Sequence, residues 1–280
     1  MADKNYFSPN EVLDIAIQAG INKTNLPATK QFLLGILGGA FIALAAVASN
    51  MGAFNLLAKA ETFGLGKFVA GLIFPVGLML VVVAGAELFT GNCLIVAGLF
   101  DKKIKPLKML KNWFFVYIGN LCGALLVVVL TFFMGQFASG NSVLGGVTVK
   151  IAYGKVTISF LQAFCAGVLC NWLVCLGVWM AFAAKDVSGK LFACFFSILL
   201  FVTAGFEHSV ANMYYIPAGI FAKSANSFVA ASGIPQGALQ ALNWSNFFLR
   251  NLIPVTLGNI VGGGFLVGGI YWLAYAKKEK

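Results

Sequence analysis

Hydrophobic residues form six long runs along this chain, separated by short polar segments. A helix needs ~20 apolar residues to cross a bilayer, and the pattern predicts helical spans at 31–57, 66–100, 108–136, 157–184, 191–222 and 247–276. The second run is too long for one straight crossing, and both it and the fifth are interrupted by glycine, glutamate and asparagine. The pattern therefore predicts an all-α membrane protein with broken second and fifth helices.

The two interruptions share one sequence motif. Residues 85–92 (GAELFTGN) and 205–212 (GFEHSVAN) both read Gly-x-Glu-x-x-x-x-Asn. An ionisable residue at bilayer depth is costly, so its presence indicates a functional site. Interrupted helices at corresponding places in two halves of a chain point to a transport site near the bilayer midplane.

The repeat extends beyond the two breaks. Residues 111–123 (KNWFFVYIGNLCG) match residues 250–262 (RNLIPVTLGNIVG). The first and fourth spans align more weakly, through the pairs Phe32/Phe160, Leu33/Leu161 and Gly39/Gly167. Each half has three spans, an odd number, so we expect the second half to enter the membrane from the opposite side. Residues 1–280 then form one membrane domain, a 3+3 inverted repeat of residues 27–136 and 157–280.

A short amphipathic helix is predicted before the first span. Ser8 and Glu11 form a capping box, apolar residues share one face over residues 8–19, and Gly20 ends the pattern. We interpret this helix as lying on the membrane surface, within a cytoplasmic or interfacial segment 1–26. A core helix of a soluble lid is the alternative. The segment contains acids and lacks an apolar core, so no cleavable signal peptide is expected.

Composition and charge fix the class and suggest an orientation. The chain has 60% hydrophobic and 10% charged residues with a mean hydropathy of +0.90, which leaves no room for a separate soluble domain. Its net charge is +10, and the basic residues are spread through the loops, where they act as topology signals. If the N-terminus is inside, 13 of the 19 basic residues fall on the inner side: Lys4, Lys23, Lys30, Lys102, Lys103, Lys105, Lys108, Lys111, Lys185, Lys190, Lys277, Lys278 and Lys280. We therefore expect both termini in the cytoplasm.

The cysteines and the single histidine argue against a metal site or a bound cofactor. All six cysteines lie in apolar segments, none forms Cys-x-x-Cys, and one histidine cannot complete a metal-ligand set. A membrane enzyme or electron carrier is the alternative to a transporter. One histidine excludes haem held by two histidines, and no nucleophile with its base can be assembled, so we expect no cofactor and no enzyme activity.

The acids at the two breaks have a predicted scaffold role. Glu87 and Glu207 each lie where an opened helix frees backbone groups, and we expect their carboxylates to accept hydrogen bonds from the freed amides. Asn92 and Asn212 occupy matching positions in the same motif. Direct ion handling by the two carboxylates is the alternative interpretation.

His208 departs from the repeat, because Leu88 stands at its counterpart position. We interpret it as a hydrogen-bond or proton donor in the permeation path, with a purely structural histidine as the alternative. Thr90, on the opposing break, carries a hydroxyl that can hydrogen-bond the imidazole. Lys155, just outside the fourth span, is expected to draw anions into the outer mouth, unless it is an ordinary interfacial lysine. No acid-lined pore is evident, which disfavours a cation channel.

Several motifs resemble those of the formate/nitrite transporter family. They are residues 87–92 (ELFTGN), Asn171 with 174–180 (VCLGVWM), 205–213 (GFEHSVANM) and 251–264 (NLIPVTLGNIVGGG), in order along nearly the whole chain. The resemblance implies an aquaporin-like six-span fold, a homopentamer with one pore per protomer in a bacterial cytoplasmic membrane, and passage of small monovalent anions. It also adds Asn171 to the scaffold residues.

The resemblance further implies an outer constriction of Phe74 and Phe201 and an inner one of Leu78, Phe89 and Val174. A chamber with His208 and Thr90 would lie between them, and Lys155 near the outer mouth. Phe74 and Phe201 lie 11 and 4 residues before their glycines, so the repeat does not itself pair them.

Members of this family handle formate, nitrite, lactate or hydrosulfide, and the small residues around the first break favour a small anion such as formate or hydrosulfide. The alternative pore is an aquaporin-like channel for water or neutral solutes, although paired Asn-Pro-Ala caps are missing from the sequence. A sensory or structural membrane protein is a further alternative.

Overall fold

The computed structural model describes residues 5–276 and is built from helices. They are α1 (Pro9–Asn25), α2 (Ala28–Leu57), α3 (Phe63–Gly85), α4 (Phe89–Phe100), α5 (Pro106–Phe133), α6 (Val143–Thr157), α7 (Phe160–Ala183), α8 (Val187–Ala204), α9 (Ser209–Ala222), α10 (Asn226–Ser232) and α11 (Trp244–Tyr275). Six of these helices, α2, α3, α5, α7, α8 and α11, are long and apolar enough to cross a membrane. The six predicted spans are therefore confirmed to within a few residues at each start.

The second and fifth helices are broken where the motifs predicted. Helix α3 ends at Gly85 and α4 begins at Phe89, while α8 ends at Ala204 and α9 begins at Ser209. Gly85 and Gly205 have φ values of +84° and +78°, in the left-handed region that a side chain would strain. A glycine therefore ends each half-helix.

Helix α1 is longer and more deeply packed than the sequence predicted. It continues past Gly20 to Asn25, and its apolar face is buried against the protein. Gly20 does not end the helix but permits close packing, because a Cβ there would meet the side chain of Ile104 and the backbone of Ile95. The apolar face therefore contacts other helices of the protein, and the interfacial position of segment 1–26 stays a prediction. The helix covers one end of the bundle.

Glycines let the first and third spans of each half touch through their backbones. A Cβ on Gly123 would collide with the carbonyl oxygen of Ile36, and a Cβ on Gly262 with that of Val168. Such close contact is the usual role of small residues between membrane helices. Helices α2 and α5 therefore form one tight pair, and α7 and α11 the equivalent pair.

These contacts correct the alignment of the two halves. Gly35 lies against Val116 and Gly119, and Gly167 lies against Val255 and Gly258, the matching residues of the other half. Gly35 is therefore the counterpart of Gly167, and the predicted pairing of Gly39 with Gly167 is wrong by one helical turn.

Two helices in the connections at the end of the bundle away from α1 were not predicted. Helix α6 lies between the third and fourth spans, and α10 lies between α9 and the last span. Helix α6 is buried against α9 and α10, with Val149, Ala152 and Val156 fully covered. At the opposite end of the bundle, α1 contacts the end of α11, and Trp272 donates a hydrogen bond to Asp101 at 3.1 Å. Both ends of the described chain therefore lie on one face.

Candidate functional site

Asn120 of α5 holds the first break open. Its Nδ2 donates to the carbonyl oxygens of Gly35 at 2.7 Å and Glu87 at 2.9 Å. Its Oδ1 accepts from the backbone N–H of Phe89 at 2.9 Å. The N–H of Glu87 donates to Leu34 at 3.1 Å. The backbone groups that the break frees are thus satisfied by the two neighbouring spans, as burial in a membrane requires.

Asn259 of α11 does the same at the second break. Its Nδ2 donates to the carbonyl oxygens of Gly167 at 2.8 Å and Glu207 at 3.1 Å, and its Oδ1 accepts from the N–H of Ser209 at 2.9 Å. The N–H of Glu207 donates to Ala166 at 3.3 Å. The two breaks are equivalent atom by atom, which is what an inverted repeat requires.

The two glutamates contact side chains rather than the freed amides. Glu87 binds Lys23 through Oε1 at 2.7 Å and accepts from Asn92 through Oε2 at 2.6 Å. Glu207 binds Lys155 at 2.8 Å and accepts from Asn212 at 2.7 Å. The predicted hydrogen bonds from freed backbone amides are therefore wrong, because the third-span asparagines take those groups.

A second asparagine closes each network. Asn92 donates to Asn112 at 2.9 Å, and Asn212 donates to Asn251 at 2.7 Å. Asn112 then donates to the carbonyl oxygen of Lys23 at 3.4 Å. Asn251 donates to that of Lys155 at 2.8 Å. Lys23 and Lys155 are thus counterparts, and the sequence analysis missed Lys23 because its alignment of the first and fourth spans was one turn out.

His208 lies between the two networks and is 3% exposed. Its Nδ1 accepts from the backbone N–H of Ala211 at 3.0 Å, which caps helix α9. Its Nε2 lies 2.9 Å from Oγ1 of Thr90, so the predicted contact between the two breaks is confirmed. A neutral ring that accepts at Nδ1 carries its hydrogen at Nε2. Nε2 therefore donates to Thr90, whose own hydroxyl hydrogen stays available to a third group.

Asn171 ties Thr90 to the second break. Its Nδ2 donates to the carbonyl oxygen of Thr90 at 3.1 Å and to that of Asn259 at 2.7 Å. Cys175 also donates to the Thr90 carbonyl, at 3.3 Å. The position of the Thr90 hydroxyl is therefore set by α7 as well as by α4.

Two cavities approach this centre from opposite faces. One, of about 440 Å³, lies on the face away from the described chain ends and is lined by His208 and by four charged residues, Lys67, Lys150, Lys155 and Glu207. The other, of about 330 Å³, lies on the face covered by α1 and is lined by Lys23 and Glu87. We refer to them as the outer and inner vestibules.

Phe74 and Phe201 form a perpendicular aromatic pair on the wall of the outer vestibule. Their ring centroids are 5.8 Å apart at 84°, and both side chains are buried. The ring of Phe201 also stacks on His208 at 5.9 Å and 19°. The structure therefore brings together two phenylalanines that the repeat did not pair, directly beside the histidine.

The three residues expected at an inner constriction occupy different surroundings. Leu78 lines the inner vestibule. The ring of Phe89 packs perpendicular to Trp113 and Tyr117, with centroids at 5.8 and 4.8 Å, and is outside the vestibule lining, where its neighbour Leu88 takes part. Val174 is buried, and it is Val178, one turn further along α7, that lines the vestibule.

A six-span inverted repeat whose broken helices meet at a buried histidine between two vestibules defines a membrane channel or transporter for a small solute. A sequence model of the formate/nitrite transporter family matches residues 10–273. This chain belongs to the formate/nitrite transporter family.

Relatives and solved structures agree with this membership. The chain is 40% identical over 277 residues to the formate channel FocA of Escherichia coli K12, which covers 97% of this chain and 95% of that protein. It is 41% identical over 270 residues to a probable formate transporter of Methanothermobacter thermautotrophicus, covering 91% and 92%. A solved structure described as a pentameric formate channel with formate bound superposes with a TM-score of 0.79 at 40% identity, covering 89% of this chain and 98% of that one.

Proposed function

We propose that this protein is a selective channel for small monovalent weak-acid anions, with formate as its first substrate. The observation that carries the proposal is the hydrogen bond between His208 and Thr90, buried beside an aromatic pair at the end of a lysine-lined vestibule. Relatives named as formate channels at 40% identity support formate, whereas hydrosulfide and nitrite rest on the family alone.

The outer vestibule attracts anions. Three lysines and one glutamate line it, a balance of +2, and a cleft lined by one sign of charge raises the local concentration of the opposite ion. The inner vestibule has one lysine and one glutamate, which balance. Substrate therefore concentrates more strongly on the outer face.

Phe74 and Phe201 then select against hydrated ions. A bare anion between apolar rings loses its hydration without compensation. A weak-acid anion can bind a proton from vestibule water and pass the rings as the neutral acid, whereas chloride cannot. The Nε2–H of His208 donates to the Thr90 oxygen and so orients the Thr90 hydroxyl, whose hydrogen is the donor that the substrate reaches beyond the rings.

Leu78, Phe89 and Val174 form the inner constriction in this proposal. Phe89 precedes Thr90 in α4, and Val174 precedes Cys175, whose thiol contacts the Thr90 carbonyl. All three side chains are at most 3% exposed. An apolar barrier at this level leaves the histidine chamber dry on both sides.

We further infer the setting of the protein. The multi-pass fold and the bacterial relatives favour a bacterial cytoplasmic membrane, with both termini inside because of the lysine bias. The solved relative described as pentameric supports a homopentamer with one path per protomer. The similarity to proteins described as channels favours a transport protein without enzyme activity. Glu87, Glu207, Asn92, Asn212 and Asn171 serve as scaffold.

The test is anion flux into proteoliposomes for the wild type and His208→Asn, comparing formate with chloride. Asparagine is a favoured helix cap, so this variant keeps a side-chain acceptor for the Ala211 N–H while removing the imidazole. We expect formate flux to fall by up to about tenfold, because the variant removes the Nε2–H that orients the Thr90 hydroxyl, and a hydrogen bond between neutral groups contributes about 0.5 to 1.5 kcal/mol.

Two results would contradict the proposal. Chloride flux equal to formate flux in the wild type would leave a generic anion pore. Formate flux unchanged in His208→Asn would reduce the histidine to a helix cap.

A further inference from the structure

Lys155 is not free to recruit an anion, because its charge is already paired. Its Nζ lies 2.8 Å from Glu207 and 5.4 Å from the ring centroid of Tyr215, and its side chain is only 15% exposed. Lys23 holds Glu87 in the same way at the first break. Because this lysine–glutamate pair is present in both halves, we assign it to the scaffold. Attraction of anions into the outer vestibule then requires another cation.

Lys67 is that cation. It lies inside helix α3, and within residues 5–276 no ion-pair partner is found for it. Lys67, Ala70 and Phe74 line the outer vestibule along one face of α3, so the lysine stands two turns above the aromatic pair. The second half has Val187 at the equivalent position. The lysine is thus specific to the outer face.

Asn50 supplies a hydrogen-bond donor beside this path. It lines the outer vestibule, is 4% exposed, and its Nδ2 has no hydrogen-bond partner in the part of the chain that the structure describes. The hydroxyl of its neighbour Ser49 donates to the carbonyl oxygen of Ala70 at 2.9 Å. Ala70 lies between Lys67 and Phe74 in α3, so this bond holds the segment of α2 that carries Asn50 beside that stretch of the path.

An unpartnered buried amide is unfavourable for folding, and a ligand that accepts its hydrogen bond would remove that cost. In the corrected alignment, Asn50 corresponds to Phe182, which lines the inner vestibule. At this position the outer vestibule therefore has a hydrogen-bond donor, and the inner vestibule has an apolar ring. Like Lys67, Asn50 breaks the symmetry of the repeat on the outer side only.

We propose that Lys67 and Asn50 form a binding site for a small carboxylate or similar oxyanion in the outer vestibule, one step before the Phe74–Phe201 pair. The ammonium supplies the attraction and the amide donates one hydrogen bond, an arrangement that suits an anion with two acceptor oxygens. This inference rests on the proposed anion transport. It assigns recruitment to Lys67 and leaves Lys155 as a positioning residue for Glu207.

The test measures formate flux as a function of concentration on the outer side of proteoliposomes, with orientation determined by protease access to a C-terminal tag. Lys67→Gln and Asn50→Leu should each raise the half-saturating concentration about tenfold, the lower end of the concentration gain in a charged cleft. The maximal flux should stay close to the wild-type value, and Lys67→Arg should recover most of the loss.

Matched controls lie outside the vestibule. Lys59→Gln removes the same charge from an exposed lysine between α2 and α3, and Asn55→Leu makes the same replacement at an exposed position of α2. Both should change the half-saturating concentration less than twofold. Thermal unfolding of Asn50→Leu should occur at or above the wild-type temperature, because the variant removes an unpaired buried amide. A higher half-saturating concentration in that variant then results from loss of the site rather than from misfolding.

Unchanged half-saturation in Lys67→Gln and Asn50→Leu, with selective flux in the wild type, would overturn the site. The stabilisation of the purified protein by added formate gives a second readout that does not depend on transport. Stabilisation that is lost in Lys67→Gln supports the site even if flux measurements contradict the proposed channel. Stabilisation equal in wild type and Lys67→Gln would overturn the site alone.

Discussion

Glu207 binds a cation through one carboxylate oxygen and an amide through the other. Lys155 contacts Oε1 and Asn212 contacts Oε2, while Glu207 itself lies in the break between α8 and α9. The same arrangement recurs at Glu87 with Lys23 and Asn92. Each carboxylate therefore joins the end of one half-helix to the start of the next and to a separate element.

Neutralising Glu207 tests whether this junction is ionic. In Glu207→Gln, the ammonium of Lys155 keeps its charge in a mostly buried place, and losing one partner of such a pair destabilises by about 3 kcal/mol. We expect a lower unfolding temperature in detergent, measured by intrinsic fluorescence. The double variant Lys155→Met/Glu207→Gln should recover a large part of the loss.

Glu61→Gln is the matched control, since Glu61 is an exposed acid in the loop before α3. Its unfolding temperature should equal that of the wild type. An equally small effect in Glu207→Gln would mean that the Lys155 contact contributes no net ionic stabilisation.

At the residue scale, the sequence was most informative inside the two break motifs. His208 stands where the first half has Leu88, and that departure predicted a role toward the substrate. Its contact with Thr90 was predicted from the hydroxyl on the opposing break and is present. Asn120 and Asn259 were visible as repeated residues, but their three backbone contacts depend on how α5 and α11 pack beside the breaks. Lys67 falls inside the predicted second span, where hydropathy alone does not show that it faces a vestibule.

Backbone contact between helices is the main packing device at the element scale. Gly123 on α5 and Gly262 on α11 each face a carbonyl oxygen of the partner helix with no space for a Cβ. The rigid pairs thus formed carry Asn120 and Asn259, so their spacing sets the position of both breaks.

Gly123→Ala should therefore destabilise the protein, because the added methyl group collides with the backbone of α2. Overpacking against backbone costs about 1 to 3 kcal/mol, and we expect Gly262→Ala to cost a similar amount because its contacts are equivalent. Thermal unfolding of the purified variants measures both. Gly64→Ala, in helix α3 with open space around it, should instead be neutral or stabilising, since alanine favours a helix more than glycine does. Equal stability of Gly123→Ala and wild type would contradict the close contact.

Hydropathy predicted the spans and both breaks, because membrane crossing depends on local composition. It failed for α6, whose glycine, threonine and lysine content lowers hydropathy although the helix is buried against α9 and α10. The alignment of α2 with α7 slipped by a turn because Gly35 and Gly39 are one turn apart, so either matches Gly167 in sequence. Only the contacts with α5 and α11 distinguish the two registers.

At the scale of the whole molecule, the two faces differ in charge. Lysines predominate in the loops on the face of α1 and the end of α11, which the positive-inside rule assigns to the cytoplasm. The outer vestibule collects its own lysines around the path instead of in the loops. In the arrangement proposed above, the charge on one face sets the orientation and the charge on the other face attracts the substrate.

Orientation can be measured with C-terminal fusions in bacterial cells. We expect a fused green fluorescent protein to fluoresce and a fused periplasmic phosphatase to be inactive, because both ends of the described chain lie on the lysine-rich face. The opposite pair of results would reverse the sides of the two vestibules. A fusion after residue 140, in the connection between α5 and α6, should behave in the opposite way and serves as the control.

The hold of Asn120 on the first break has a consequence for biosynthesis. The segment around Phe89 leaves the ribosome before α5, so its freed N–H has no partner until Asn120 arrives, and each unpaired group in lipid costs several kcal/mol. The first three spans must then assemble together rather than insert one at a time. A nascent chain that stops before α5 would lack the residue that keeps its second helix open, and it would be expected to close that helix or leave the membrane to quality-control proteases.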